Sequence, residues 1–290
     1  MIEACCTQDE GLVALRRRPA GRGVKPSHGA LGLPTAAGYI EGPLVVTPNH
    51  RRLGFAVVSA ILVLWDIDHT LIENHGVNKE TYALAFRLLT GREAEHRART
   101  DGRTEPEIMR DMLMLHGIAP TADHVARMPE ALESATLTNV GALRERGHEL
   151  PGARDVLAAL QVSAGVVQSV LSGNIRPNAV TKLSAFGLEG FMDFEVGGYG
   201  SDDEVRANLV AVAQGRATAK YGETFDKANT VLVGDTPRDV HAGKDGGARV
   251  VAVATGADSV ESLRAAGADV VLPDLRDTRA VAEAVTSLAG

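Results

Sequence analysis

From about residue 57 onward, short apolar runs alternate with stretches of helical periodicity. The spacing predicts strands over 60–66, 166–171, 192–196, 230–234, 249–253 and 269–272. The runs Val231-Leu232-Val233 and Val250-Val251-Ala252-Val253 are apolar at every position, as expected of parallel strands covered on both faces. Helices are predicted over 152–161, 175–186, 204–221, 237–245, 259–266 and 277–288. Alternation of this kind predicts an α/β core: a parallel sheet with helices on both faces.

One stretch breaks the pattern. Residues 76–150 carry helical periodicity and no convincing strand. Tyr82, Ala85, Phe86 and Leu89 share one helical face, and Ile108, Met112 and Leu115 share another. A parallel crossover needs only about a dozen residues. The excess predicts an inserted all-α domain, leaving the sheet directly after its first strand.

Residues 1–56 show no sustained period. Arg16-Arg17-Arg18, frequent glycine and Pro19, Pro26, Pro34, Pro43 and Pro48 predict a disordered extension. The domain plan is therefore 1–56 extension, 57–75 with 150–290 α/β core, and 76–149 helical cap. The run Phe55–Trp65 is too short to span a bilayer and ends in Asp66-Ile67-Asp68 rather than at small residues, so it is read as a strand and not a signal peptide.

Composition narrows the function classes. A formal charge of -7 argues against a nucleic-acid partner. The only cysteines, Cys5 and Cys6, are adjacent and build no disulfide framework, so a cytoplasmic protein without membrane attachment is expected. A monomer or homodimer is compatible with everything in the sequence.

In open α/β sheets, ligands bind at the carboxyl ends of strands. Asp66-Ile67-Asp68-His69-Thr70 follows the first strand. An aspartate there can attack phosphorus. A carboxylate two residues on can protonate a leaving oxygen and later activate water. Ser172-Gly173-Asn174 follows the strand at 166–171 and precedes a helix, so its hydroxyl and backbone N–H groups can cradle an anion or simply cap the helix. Gly234-Asp235-Thr236-Pro237-Arg238-Asp239 follows the strand at 230–234. Asp235 and Asp239 are hard oxygen ligands suited to Mg²⁺; the alternative is that Asp235 caps the helix.

Taken in this order, Asp66/Asp68/Thr70, Ser172 and Asp235/Asp239 resemble the motifs of the haloacid dehalogenase-like (HAD) hydrolase superfamily. The resemblance runs from about residue 58 to 275 and is phosphoglycolate phosphatase-like, with a helical C1-type cap. It implies a Rossmann-like core and an Mg²⁺-dependent phosphatase acting through an aspartyl-phosphate on a small phosphorylated metabolite. It also implies Asp66 and Asp68 as catalytic residues. Thr70, Ser172, Gly173, Asn174 and Arg206 would bind phosphate, and Asp66, Asp68 (by its backbone carbonyl), Asp235 and Asp239 the metal.

The third family motif, a lysine, has no direct match. Arg206 is its substitute, able to hold phosphate in bidentate fashion; Arg216, Lys220 and Lys227 are rivals. His69 stands where glycine is commoner in the family and is read as a turn residue. Arg103, Thr104 and Arg110 could contact a substrate anion, or be surface and capping residues.

Other readings use the same residues. A phosphotransferase or mutase would deliver the phosphoryl group to a second hydroxyl. A dehalogenase needs neither Asp68 nor a metal. A phosphonate-cleaving enzyme would want a cap lysine, for which Lys79 is the candidate. A non-catalytic regulator of the same fold would not need four intact aspartates.

Overall fold

The computed structural model describes residues 60–289 except Asp101. The expected extension, 1–56, lies outside the described residues. Six strands form one parallel sheet: β1 (Ile61–Trp65), β4 (Val166–Ser172), β5 (Gly198–Tyr199), β6 (Thr230–Gly234), β7 (Arg249–Val253) and β8 (Val270–Leu272), in the order β5-β4-β1-β6-β7-β8. Because β4, β1 and β6 are parallel neighbours, the three loops that carry the acidic and hydroxyl motifs leave the sheet at the same edge. Topology alone therefore brings together residues more than a hundred positions apart.

The strict alternation of β1 feeds two separate cores. Ile61, Val63 and Trp65 pack on one face with α4 (Ala153–Gln161), α5 (Arg176–Ala185) and α9 (Thr278–Leu288). Leu62 and Leu64 pack on the other with α6 (Arg206–Tyr221) and Ala242 of α7 (Pro237–Gly246). Leu263 of α8 (Val260–Ala266) closes a smaller cluster over Val250 and Ala252. Every residue of β1 and β6 is buried, which is why neither shows a polar face in the sequence.

The strand expected at 192–196 is not one. The paired strand is the two-residue Gly198–Tyr199. The alternation of Met192, Phe194 and Val196 comes from a turn, in which Val196 N–H donates to Asp193 O and Asp193 N–H to Gln168 O.

Between β2 (Ile72–Glu73) and β3 (His148–Glu149), a short antiparallel pair, lies a helical insert. It consists of α1 (Val77–Thr90), α2 (Glu105–Leu115) and α3 (Ala122–Arg146). The insert has its own core of Tyr82, Phe86, Leu89, Ile108, Met112 and Leu132, and Ile175 from the loop before α5 joins that cluster. β2 and β3, unpredicted from the sequence, tie together the two chain crossings that lead into and out of it.

Candidate active site

The end of β1 delivers Asp66 and Asp68 to a cavity of about 290 Å³ at the carboxyl edge of the sheet. Ser172, Asn174, Arg206 and Asp235 line the same cavity. One oxygen each from Asp66, Asp235 and Asp239 lies within 4.8 Å of the others.

The turn after β1 is sharp. His69 adopts φ 64°, a left-handed conformation that a side chain enters at some cost and glycine enters freely. Its Nδ1 lies 2.9 Å from Glu73 Oε2, outside the carboxylate cluster. Thr70 is fully buried, and its hydroxyl donates to Asp235 Oδ1 at 3.0 Å. Thr70, expected to bind phosphate, is not among the residues lining the cavity and orients a carboxylate instead.

At the end of β6, Thr236 caps α7, not Asp235. Its hydroxyl accepts from Asp239 N–H at 3.2 Å, while Asp239 Oδ2 accepts from Thr236 N–H at 3.0 Å and Thr236 Oγ1 at 2.7 Å. This capping box fixes Asp239 and leaves Asp235 to the cavity. Asp239 Oδ1 is buried with no hydrogen-bond donor; Arg206 Nη2 lies 2.5 Å away, without hydrogen-bond alignment.

Arg206, the first residue of α6, is almost fully buried and donates from Nη2 to Asp66 Oδ1 at 2.7 Å. Its rivals lie elsewhere. Arg216 pairs with Asp202, Lys220 pairs with Asp193 and Glu195, and Lys227 is exposed.

Ser172, at the end of β4, accepts from Asn174 N–H at 3.3 Å and Asn174 Nδ2 at 2.6 Å. Both lone pairs of its hydroxyl are thus engaged, and the O–H remains to donate. Gly173 allows a close approach of the insert: a Cβ there would meet Arg103 O at 2.2 Å.

Of the residues weighed as substrate contacts, Arg103 lines the cavity but is ion-paired with Glu107 and Asp111. Thr104 caps α2, and Arg110 pairs with Glu204. Arg103 and Thr104 are engaged within the insert, and Arg110 ties it to the loop before α6.

Three residues, Lys182, Asn74 and Asn78, escaped sequence reasoning. Lys182, on α5, is buried; its Nζ donates to Asp68 Oδ2 at 2.7 Å and to Asn174 Oδ1 at 2.6 Å. Asn74 and Asn78 donate to Asp68 Oδ1 at 3.2 and 2.8 Å, and Asn174 Nδ2 donates to Oδ2 at 3.1 Å. The signal was Asn178 and Lys182 at spacing four on α5, beside buried Ala179 and Leu183 and following Asn174 of the preceding loop.

The electrostatics divide the two catalytic candidates. Burial raises Asp66, opposed by Arg206 and reinforced by Asp239 and Asp68, to a pKa of about 7. Burial also raises Asp235 well above the carboxylate range, with Asp239 and Asp66 adding to it. For Asp68, burial is outweighed by the charge and hydrogen bond of Lys182 and by Asn174 and Asn78, which hold it down to about 2. Three buried carboxylates, Asp66, Asp235 and Asp239, and the half-buried Asp68 thus face the mostly buried Arg206 and the buried Lys182. Repulsion among Asp66, Asp235 and Asp239, together with the donor-less Asp239 Oδ1, is what a divalent cation would relieve. The donor set fits a hard, oxygen-liganded metal.

Comparison with known proteins agrees with this architecture. Solved structures similar to the chain include CbbY from Rhodobacter sphaeroides in complex with phosphate (16% identity, TM-score 0.57, covering 75% of this chain and 96% of that one). A hydrolase from Pseudomonas syringae is 19% identical, with TM-score 0.54, covering 78% and 99%. A predicted phosphoglycolate phosphatase from Haemophilus somnus is 16% identical, with TM-score 0.54, covering 77% and 97%. At these identities they establish the shared fold. No curated protein matches the sequence. The family model for haloacid dehalogenase-like hydrolases matches residues 63–244, more than half of the chain. That span takes in all three strand-end loops that meet at the cavity, and the chain belongs to the haloacid dehalogenase-like hydrolase family.

Proposed function

We propose that the chain is a Mg²⁺-dependent phosphatase that hydrolyses a small phosphorylated metabolite through an aspartyl-phosphate on Asp66. The observation that carries this reading is the convergence of Asp66, Asp235 and Asp239 within 4.8 Å, with Arg206 against them at a cavity.

An Asp66 carboxylate oxygen attacks phosphorus in line, and the bond to the leaving alcohol breaks. The Ser172 hydroxyl, backbone N–H groups near Gly173 and Asn174, and the Arg206 guanidinium hold the equatorial oxygens, where transition-state charge accumulates. Asp68, after taking up a proton from solvent as the ester enters, gives it to the leaving oxygen and is left as the carboxylate, which then takes a proton from the water that attacks the acyl-phosphate. In the arrangement seen, Asp68 accepts from four nitrogens and is a carboxylate, the form required of that second-step base. Asp66, Asp235, Asp239 and the Asp68 backbone carbonyl would hold Mg²⁺, which when bound screens the two anions from each other and polarises a phosphoryl oxygen. The insert, residues 76–149, acts as the cap that excludes bulk water and selects the leaving group.

Phosphate release from p-nitrophenyl phosphate, with Mg²⁺ and with chelator, tests the reading. Metal-dependent release is expected. Consumption of ester with transfer to a second hydroxyl and no free phosphate would instead make it a phosphotransferase.

A further inference from the structure

We propose that Lys182 is a positioning residue for Asp68, setting it for water activation in the dephosphorylation half-reaction. The inference rests on the phosphatase reading and goes beyond it, because no motif assigns a role to α5.

The geometry is specific. Helical side chains lean toward the N-terminus of their own helix. Lys182 therefore runs back along α5 toward the loop Ser172-Gly173-Asn174, burying its aliphatic stem and presenting Nζ to Asp68 Oδ2 and Asn174 Oδ1. Asn174 in turn donates to Asp68 Oδ2 and to Ser172 Oγ. Among the described residues, Lys182 is thus the one cation joining the acid–base residue to the phosphate-cradle loop. Asn74 and Asn78 hold the other oxygen of Asp68. Asp68 is fixed at both oxygens by donors from two loops and two helices, so its direction is set before any water arrives. Removing Lys182 frees Oδ2 to rotate and loosens Asn174, while Asp66, Arg206 and Asp235 keep their contacts with one another.

Lys182→Met and Lys182→Arg, assayed on p-nitrophenyl phosphate with Mg²⁺ by rapid acid quench, separate the half-reactions. The nitrophenolate leaves without a proton, so phosphorylation of Asp66 reads attack alone and dephosphorylation reads Asp68. In Lys182→Met, dephosphorylation is expected to fall about 100-fold with phosphorylation changed little, so that phosphorylated enzyme accumulates. Lys182→Arg is expected to recover part of the loss; should Lys182→Met fail to fold, the same split is read in Lys182→Arg. In an Asp68→Asn background, Lys182→Met should change dephosphorylation little, because its partner is gone. Equal loss of both half-reactions, or no change in either, overturns the proposal. A wild-type chain that turns over no ester overturns the phosphatase reading, and the positioning role with it.

Discussion

Arg206 Nη2 donates to Asp66 Oδ1 at 2.7 Å, joining the first residue of α6 to the loop after β1. The same nitrogen lies against Asp239. One guanidinium thus holds two acidic groups that would otherwise repel across the mouth of the sheet. Burial lowers its own pKa, yet Asp239 and Asp66 more than compensate, so the charge is permanent.

Arg206→Ala leaves buried carboxylates uncompensated, which typically costs about 3 kcal/mol or more. In the proposed mechanism it also removes a phosphate donor, for which a loss of about 100-fold in kcat/KM is expected. Arg206→Lys should recover part of the stability but little of the activity, since a point charge cannot reproduce the fork. Thermal melts and steady-state kinetics on both variants check this.

The metal-free protein should lose stability as pH rises from about 4 to about 7. Asp66 titrates at about 7 when folded against an ordinary value of 3.8, so the unfavourable buried charge is absent at low pH and fully present above pH 7. Glu105, raised to about 7 by burial against the opposing charge of Lys182, adds to the same window. Asp68 acts in the opposite sense, and its contribution is lost only as pH falls from about 4 toward 2. Melting temperatures across pH 5–8 should therefore decline, and Asp66→Asn and Glu105→Gln should each flatten the curve. Added Mg²⁺ should lift the wild-type curve most at pH 8 and leave Asp66→Asn least affected.

Thr70→Val removes the donor that orients Asp235. With Asp235 holding the metal as proposed, loss of such a partner typically weakens metal binding about 10- to 100-fold. The Mg²⁺ concentration for half-maximal activity should rise accordingly, with kcat at saturating metal largely kept. A metal titration of activity reads this directly.

Gly173→Ala places a Cβ 2.2 Å from Arg103 O and about 3 Å from Thr104. Either the insert or the Ser172 loop must move. A higher KM for the ester, with the core still folded by circular dichroism, is the expected result.

Much of this was legible in the sequence because parallel strand ends are chemically conspicuous. An apolar run followed by Asp66-Ile67-Asp68, or by Gly234-Asp235, marks both the strand and its business end. Three such loops on adjacent strands must meet whatever the details of packing. The bond of Thr70 to Asp235 was not legible, because a hydroxyl in a motif does not announce which neighbour it faces. Lys182 was missed because a lysine within a helix looks like a solvated residue until the fold buries it. The run at 192–196 reads as a strand because Met192, Phe194 and Val196 alternate, yet only pairing with β4 makes a strand, and that occurs at Gly198–Tyr199.

The central claim is that Asp66 carries the phosphoryl group during turnover. Acid-quenching the enzyme during turnover of p-nitrophenyl phosphate with Mg²⁺, followed by peptide mass spectrometry, tests it most directly. The account predicts one added phosphoryl group on the peptide holding Asp66, absent in Asp66→Asn, and increased in Asp68→Asn. A wild-type enzyme that turns over while no phosphorylated peptide forms, or an Asp66→Asn variant that keeps full activity, would contradict it.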